Sequence, residues 1–281
     1  MPARLRRLLP LLLGILPVVA FVQGGRRTAL GRESPDLLGH LWTIWHADQE
    51  SLTRTQLLAW PEGVDLLPIL GGWADIAIGG ALVPALGVVG AWNATMALYL
   101  LMAGAGGWVL ARGLGTGPGV AVVGGLVLQL DPATLHHLYT GRAEQVGIGV
   151  LALFLGTGLI ALRQASRWPP VALSLFGALS LAVAWEYGLF VALFGAVLLI
   201  AAPGAPARRR IALGGLGAVA LALPMVIPFV LRSAEAPQGR FADEWALRTA
   251  QNSLVLLGPQ GWGGALPAVL PTLTLLAMPW T

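Results

Sequence analysis

Ile76-Ala77-Ile78-Gly79-Gly80-Ala81-Leu82-Val83-Pro84-Ala85-Leu86-Gly87-Val88-Val89-Gly90 is the stretch on which the fold turns. It is apolar enough for a membrane, yet it is about 15 residues long and contains Pro84 and four glycines. A helix needs about 20 apolar residues to cross the hydrocarbon core. Charge parity separates the two readings. If 76–90 crosses, every later loop changes side. Arg163, Arg167 and Arg208-Arg209-Arg210 then lie outside, and Asp131, Glu144 and Asp243 lie inside. If it does not cross, the later basic loops join Arg4, Arg6 and Arg7 on one face. Basic residues in short loops set orientation, so 76–90 is expected to be interfacial or re-entrant. Such a backbone is tolerated at membrane depth only when covered by protein or facing a water-filled cavity.

Working outward from that choice, the cytoplasmic segments hold Arg4, Arg6, Arg7, Arg112, Arg163, Arg167, Arg208, Arg209 and Arg210, with no Asp or Glu. All 13 carboxylates, from Glu33 to Glu244, fall on the other face with the remaining arginines and the four histidines. Groups of this kind gathered on one side predict a polar working surface at the membrane boundary. Composition agrees: 56% of residues are apolar and 11% charged, against roughly a quarter charged in soluble domains. The high pI does not point to nucleic acid, because the chain has no Lys and its arginines are spread over loops. Arg in place of Lys, with much Ala, Gly, Leu and Pro, looks like bacterial high-GC codon bias. Without Cys, disulfides and thiolate metal sites are excluded.

The expected fold is all-α, a polytopic membrane bundle of about eight spans forming a single transmembrane domain over 1–281. Candidate spans are 8–23, 91–111, 118–130, 145–162, 169–185, 187–203, 211–231 and one that starts near 265. The basic start followed by Leu8–Val22 reads as an uncleaved first helix with a cytoplasmic N-terminus. Because the chain stops inside an apolar stretch, it is expected to be a fragment of a longer protein. A large first external loop, 24–90, contains 36–51, where Leu37, Leu38, Leu41, Ile44 and Trp45 share one helical face. With Trp42, this reads as an amphipathic helix lying on the membrane, started by Ser34-Pro35-Asp36. Trp60-Pro61-Glu62-Gly63-Val64-Asp65 is rich in turn residues. Further external loops are expected at 131–144, at Trp185-Glu186-Tyr187 and at 232–262. The Gly104–Gly107 and Gly214–Gly217 runs permit close helix packing; they are not phosphate loops, since no Lys exists to complete one.

The order of these features is familiar. A first helix precedes a long external loop with an early Asp, then Pro61-Glu62-Gly63-Val64-Asp65-Leu66-Leu67-Pro68 and Gly90-Ala91-Trp92-Asn93-Ala94-Thr95. A helix ends in Val109-Leu110-Ala111-Arg112-Gly113-Leu114-Gly115, and a short one leads into Leu130-Asp131-Pro132-Ala133-Thr134-Leu135-His136-His137. Over about residues 1–165 the chain resembles bacterial membrane glycosyltransferases of the GT-C superfamily, in the protein-mannosyltransferase and arabinose-transferase-like group. The resemblance implies a polyprenyl-phosphate sugar donor, a glycan, lipid or protein acceptor, transfer on the periplasmic face of the inner membrane, and a catalytic carboxylate early in the first external loop. Asp36 occupies that position. Many relatives have two adjacent acids there; this chain has Asp36 with Glu33 three residues earlier, which leaves a divalent cation open as a cofactor.

Asp36 also has a physical case. Transfer with inversion needs a base for the acceptor's proton, and a carboxylate at the lipid boundary faces both a lipid-borne donor and a polar acceptor. The competing reading is a helix cap. Glu144, at the start of a span, is the second candidate acid, against a plain dipole role. Asp131 reads as a turn or cap residue. His40, His136, His137 and Tyr139 are candidates for binding the sugar; zinc would need three or four ligands, and no obvious set is present. Arg142, Arg232 and Arg240 could hold phosphate, because guanidinium pairs bidentately with its oxygens, or else contact headgroups. Glu186 reads as a polar turn between interfacial aromatics. Two other functions compete: a transporter or lipid flippase component, which would place charge near the midplane, and a non-catalytic envelope assembly protein.

Overall fold

The structure is a computed structural model that describes residues 9–49, 54–58, 63–66 and 72–235. It is almost entirely helical. A 3₁₀ turn, Leu9–Gly14, leads into α1 (Ile15–Gly24), followed by α2 (Pro35–Gln49). After a two-residue antiparallel pair, β1 (Arg54–Thr55) with β2 (Val64–Asp65), come α3 (Ala74–Gly113), α4 (Pro118–Gln129), α5 (Pro132–Thr140), α6 (Ala143–Val146), α7 (Ile148–Arg163), α8 (Trp168–Val183), α9 (Trp185–Ala201) and α10 (Ala205–Glu235). Four apolar helical segments are long enough to cross a membrane: Ala74–Gly113, Pro118–Thr140, Ala143–Arg163 and Ala205–Leu231. Pro10–Gly24, Trp168–Val183 and Trp185–Ala201 are apolar but shorter. The chain is therefore a helical membrane protein. The span expected near 265 and most of the loop at 232–262 lie outside the described residues.

Residues 76–90 are helical and run on into the expected span at 91–111. At 1.5 Å per residue a 40-residue helix would reach about 60 Å, twice the hydrocarbon thickness. It does not run straight. Gly87 takes φ 69 and ψ 167, a left-handed value that a Cβ would strain, and breaks α3 into a first arm of about 20 Å and a second of about 39 Å. The first arm is covered by protein: Ile44 of α2 packs on Gly79, and Ala47 on Gly80.

Glycines set the bundle. Gly106 and Gly113 of α3 face Gly149 and Gly156 of α7, so closely that a Cβ on any of them would meet the partner's backbone. Without a hydrophobic force between helices in lipid, such backbone contact is what holds them. The register rises together on both helices (Ala103 beside Gly149, Leu110 beside Gly156), so they run parallel. α4 runs antiparallel, with Gly107 against Gly124 and Gly104 against Gln129. Gln129 donates its amide to the carbonyls of Leu13 and Leu100, at 2.8 and 2.9 Å, tying three segments together. Farther along, Gly214 and Gly217 of α10 meet Leu173 and Ser174 of α8.

These directions sort the charges. Asp75 opens α3 and Arg112 closes it; Glu144 lies in α6, just before α7, and Arg163 closes α7. Arg210 donates to the Ala161 carbonyl at 2.9 Å, beside Arg163 in sequence. Thus Arg112, Arg163 and Arg210 mark one end of the bundle, and Asp75, Asp131 and Glu144 mark the other.

Candidate functional site

Three local devices bring distant residues to the acidic end. Asn93, wholly buried in α3, donates to the carbonyls of Gly25 and Thr28 and accepts from the Leu30 amide at 2.7 Å. Trp92 adds a bond to the Leu30 carbonyl at 2.8 Å. The pair thereby clamps the loop between α1 and α2. That loop is stitched in turn to the end of α5: the Arg32 amide donates to Tyr139 O, and Ser34 Oγ donates to Thr140 O at 2.8 Å. Gly141, with φ 75, ends α5 and lies against the Leu37 backbone, leaving no room for a side chain. The third device is at the other entry: the Trp73 amide donates to Ala182 O at 2.7 Å, and Gly72 presses on the Val183 carbonyl. This sets the start of α3 against the end of α8.

The outcome is a polar cavity of about 220 Å³ lined by Asp36, His40, Arg142, Glu144, Gln145 and Glu186. Asp36 does not cap α2. Ser34 does, its Oγ accepting from the Leu37 amide at 3.1 Å. The Asp36 carboxylate is free of that duty and accepts from Arg142 Nε at 2.9 Å, in a pair about half exposed. Deeper in, His40 Nδ1 is 2.7 Å from Asp75 Oδ2 and His40 Nε2 is 3.5 Å from Glu144 Oε2. The first contact is short but off-line, and neither oxygen of Asp75 completes a well-angled hydrogen bond. Burial by itself depresses the basicity of His40. The close contact and negative charge of Asp75 and then of Glu144 outweigh it and push the imidazole up to about 10. Tyr187 donates to the Glu144 carbonyl at 3.0 Å and steadies α6.

Of the residues singled out in the sequence, Asp36, His40, Arg142 and Glu144 converge. His136, His137 and Tyr139 do not line the cavity: they lie on α5, with His136 and Tyr139 exposed and the two imidazoles edge to face at 5.8 Å. The Gly141 turn is the reason, since it redirects the chain so that Arg142 and Glu144, not α5, face α2. Asp131 is the α5 cap, accepting from Ala133 and Thr134. The side chains of Arg54 and Arg232, and all of Arg240, lie outside what is described. Among the described residues, no group of three or more His, Asp and Glu is arranged to hold a metal ion.

Sequence reasoning missed Asp75 and Gln145 as site residues and kept Glu186 as a turn. Asp75 carried a signal: an acid directly before an apolar stretch, at the depth where burial needs a partner. The expected amphipathic stripe of α2 is also divided. Leu37 and Ile44 face protein, while Leu38 and Trp45 face out; the inner face adds Thr43, His40 and His46, the last stacked on Trp42 at 5.1 Å. No protein-family model, curated protein or solved structure matches this chain.

Proposed function

We propose that the chain is a membrane transferase of the GT-C type that moves a sugar from a polyprenyl-phosphate donor to a cell-envelope acceptor, with the acidic end of the bundle outside the bacterial inner membrane. The observation that carries this reading is the meeting of Asp36 and Glu144, 108 residues apart in sequence, on one polar cavity at the end of apolar helices. Asp36 is the base. Its carboxylate is partly exposed and tied to nothing but Arg142 among the contacts described, so an incoming hydroxyl can reach it. Arg142 offers its remaining N–H groups to a phosphate oxygen, with Asp36 holding one edge. An apolar groove of about 540 Å³ runs between α7, α8, α9 and α10 and includes Leu181 and Gly188, the latter two residues from Glu186. It offers a lipid tail a place close to the polar cavity.

The orientation follows from the basic end, which the positive-inside bias puts in the cytoplasm. A transporter would need charge along the spans; in α3, α7, α9 and α10 the charged residues stand near the helix ends. Asp36→Asn tests the transferase reading. The substitution keeps the Arg142 contact but removes the proton acceptor, and loss of a general base typically slows catalysis about 10²–10⁴-fold. Wild type and variant, each inserted in membranes, are compared for consumption of labelled polyprenyl-phosphate sugars. Collapse of turnover in the variant is expected. A variant that keeps pace with wild type moves the base away from Asp36.

A further inference from the structure

Asp75 has no part in the transfer just described, yet it is the most deeply buried carboxylate among the described residues. It stands in the first turn of α3, where the helix dipole favours a negative charge. Gly72 and Trp73 fix that turn against α8. The imidazole of His40 lies between Asp75 and Glu144, with one ring nitrogen toward each. A neutral imidazole has one N–H and can answer one carboxylate; an imidazolium answers both. Buried Trp92 lies 5.5 Å from the ring, within the reach at which an indole attracts a cation. Other ionisable groups around this trio are Arg142, Asp36 and Glu186 in the cavity wall, with Tyr99, Tyr187 and His137 in electrostatic reach of the acids.

We propose that Asp75 is a positioning residue of the site: through His40 it holds Glu144 at the cavity wall as a fixed hydrogen-bond acceptor for a hydroxyl of the sugar acceptor. The proposal rests on the transferase reading and deepens it. Asp75 touches neither donor nor acceptor. As an imidazolium with one ring N–H toward each carboxylate, His40 keeps no lone pair for a proton, so proton abstraction stays with Asp36. Glu144 makes and breaks no bond; it orients the hydroxyl whose proton Asp36 takes.

Isotope-labelled histidine tests this without any substrate, since the chain has four histidines and single His→Gln variants assign them. In detergent-solubilised full-length chain, the His40 nitrogens are expected to show imidazolium shifts at neutral pH, with titration near pH 10. Asp75→Asn, nearly isosteric, should lower that midpoint by about 1–3 units, and Asp75→Glu should restore it in part. A neutral His40 in wild type at neutral pH overturns the proposal, and this spectrum decides even if Asp75→Asn fails to fold. A midpoint unmoved by Asp75→Asn also overturns it. In the donor-consumption assay, Asp75→Asn should lower kcat and move the alkaline limb of the pH profile together with the His40 midpoint. An unmoved limb removes the positioning role. A wild type that consumes none of the sugars removes the transferase reading and leaves the His40 pairing, read by resonance, standing on its own.

Discussion

Asp36 and Arg142 meet at the rim of the cavity, His40 and Asp75 beneath it, and the two pairs respond differently to perturbation. The rim pair is about half exposed, and such pairs contribute only about 0–1 kcal/mol to stability. Arg142→Gln should therefore leave the thermal midpoint almost where it is. If the guanidinium holds phosphate, the same variant loses about 10–100-fold in donor turnover, from the roughly 1.5–3 kcal/mol of a charged hydrogen bond. Melting curves and turnover measured on one preparation check both halves. The inner pair gives a pH dependence of definite sign. His40 is raised from 6.5 to about 10 in the folded protein, so its contribution is full below about pH 6.5 and is lost as pH climbs through about 10. Wild type should exceed His40→Gln in thermal stability most at the acid end of that window, the two curves converging toward the alkaline end. A gap that widens with pH would contradict the assignment. At this scale the sequence named four of the convergent residues, because ionisable groups beside apolar spans are conspicuous. Asp75 escaped, because what makes it matter is the imidazole across from it, 35 residues earlier in the chain.

Helix packing carries its own tests. Gly149 of α7 has no room for a methyl against Ala103, and overpacking of this kind costs about 1–3 kcal/mol. Gly39, in the middle of α2, has nothing within 4 Å of where a Cβ would stand. Gly149→Ala should thus lower the thermal midpoint in detergent, while Gly39→Ala should hold or raise it, by the roughly 0.5–1 kcal/mol a helical Gly concedes to Ala. Opposite signs from the same substitution would locate the effect in the α3–α7 contact. The Asn93 clamp is a second case. Asn93→Ala strands the Leu30 amide and the carbonyls of Gly25 and Thr28, at about 1–3 kcal/mol for a buried group left unpaired. Limited proteolysis near Arg26 and Arg27 should quicken in that variant before global unfolding begins. The Trp92-Asn93 dipeptide was visible in the sequence as a motif. Its job was not, since a clamp is defined by the loop it grips. The apolar stripe of α2 was legible for a similar reason and misread in detail: periodicity reveals an apolar face, and only the neighbours decide how much of it meets protein and how much meets lipid.

For the molecule as a whole, the separation of charge between the ends of the bundle is the property that function would use. The chain has no native Cys, so single introduced cysteines report sidedness cleanly. Thr28 and His136 are exposed at the acidic end, and Gln164 is exposed just past Arg163. Thr28→Cys and His136→Cys should react with an impermeant thiol reagent on intact cells, and Gln164→Cys only after permeabilisation. The reverse pattern would invert the orientation and place the cavity in the cytoplasm. The membrane class, the helical class and the division of basic from acidic loops are legible in the chain, because hydropathy and charge are properties of single residues summed over short windows. Tertiary structure alone decided that Gly87 breaks α3, that Gly141 turns Arg142 and Glu144 toward α2 while leaving His136 and His137 on α5, and that His40 bridges Asp75 and Glu144. Each of these depends on backbone dihedrals and on contacts between residues tens of positions apart, which the local pattern of a chain does not encode in readable form.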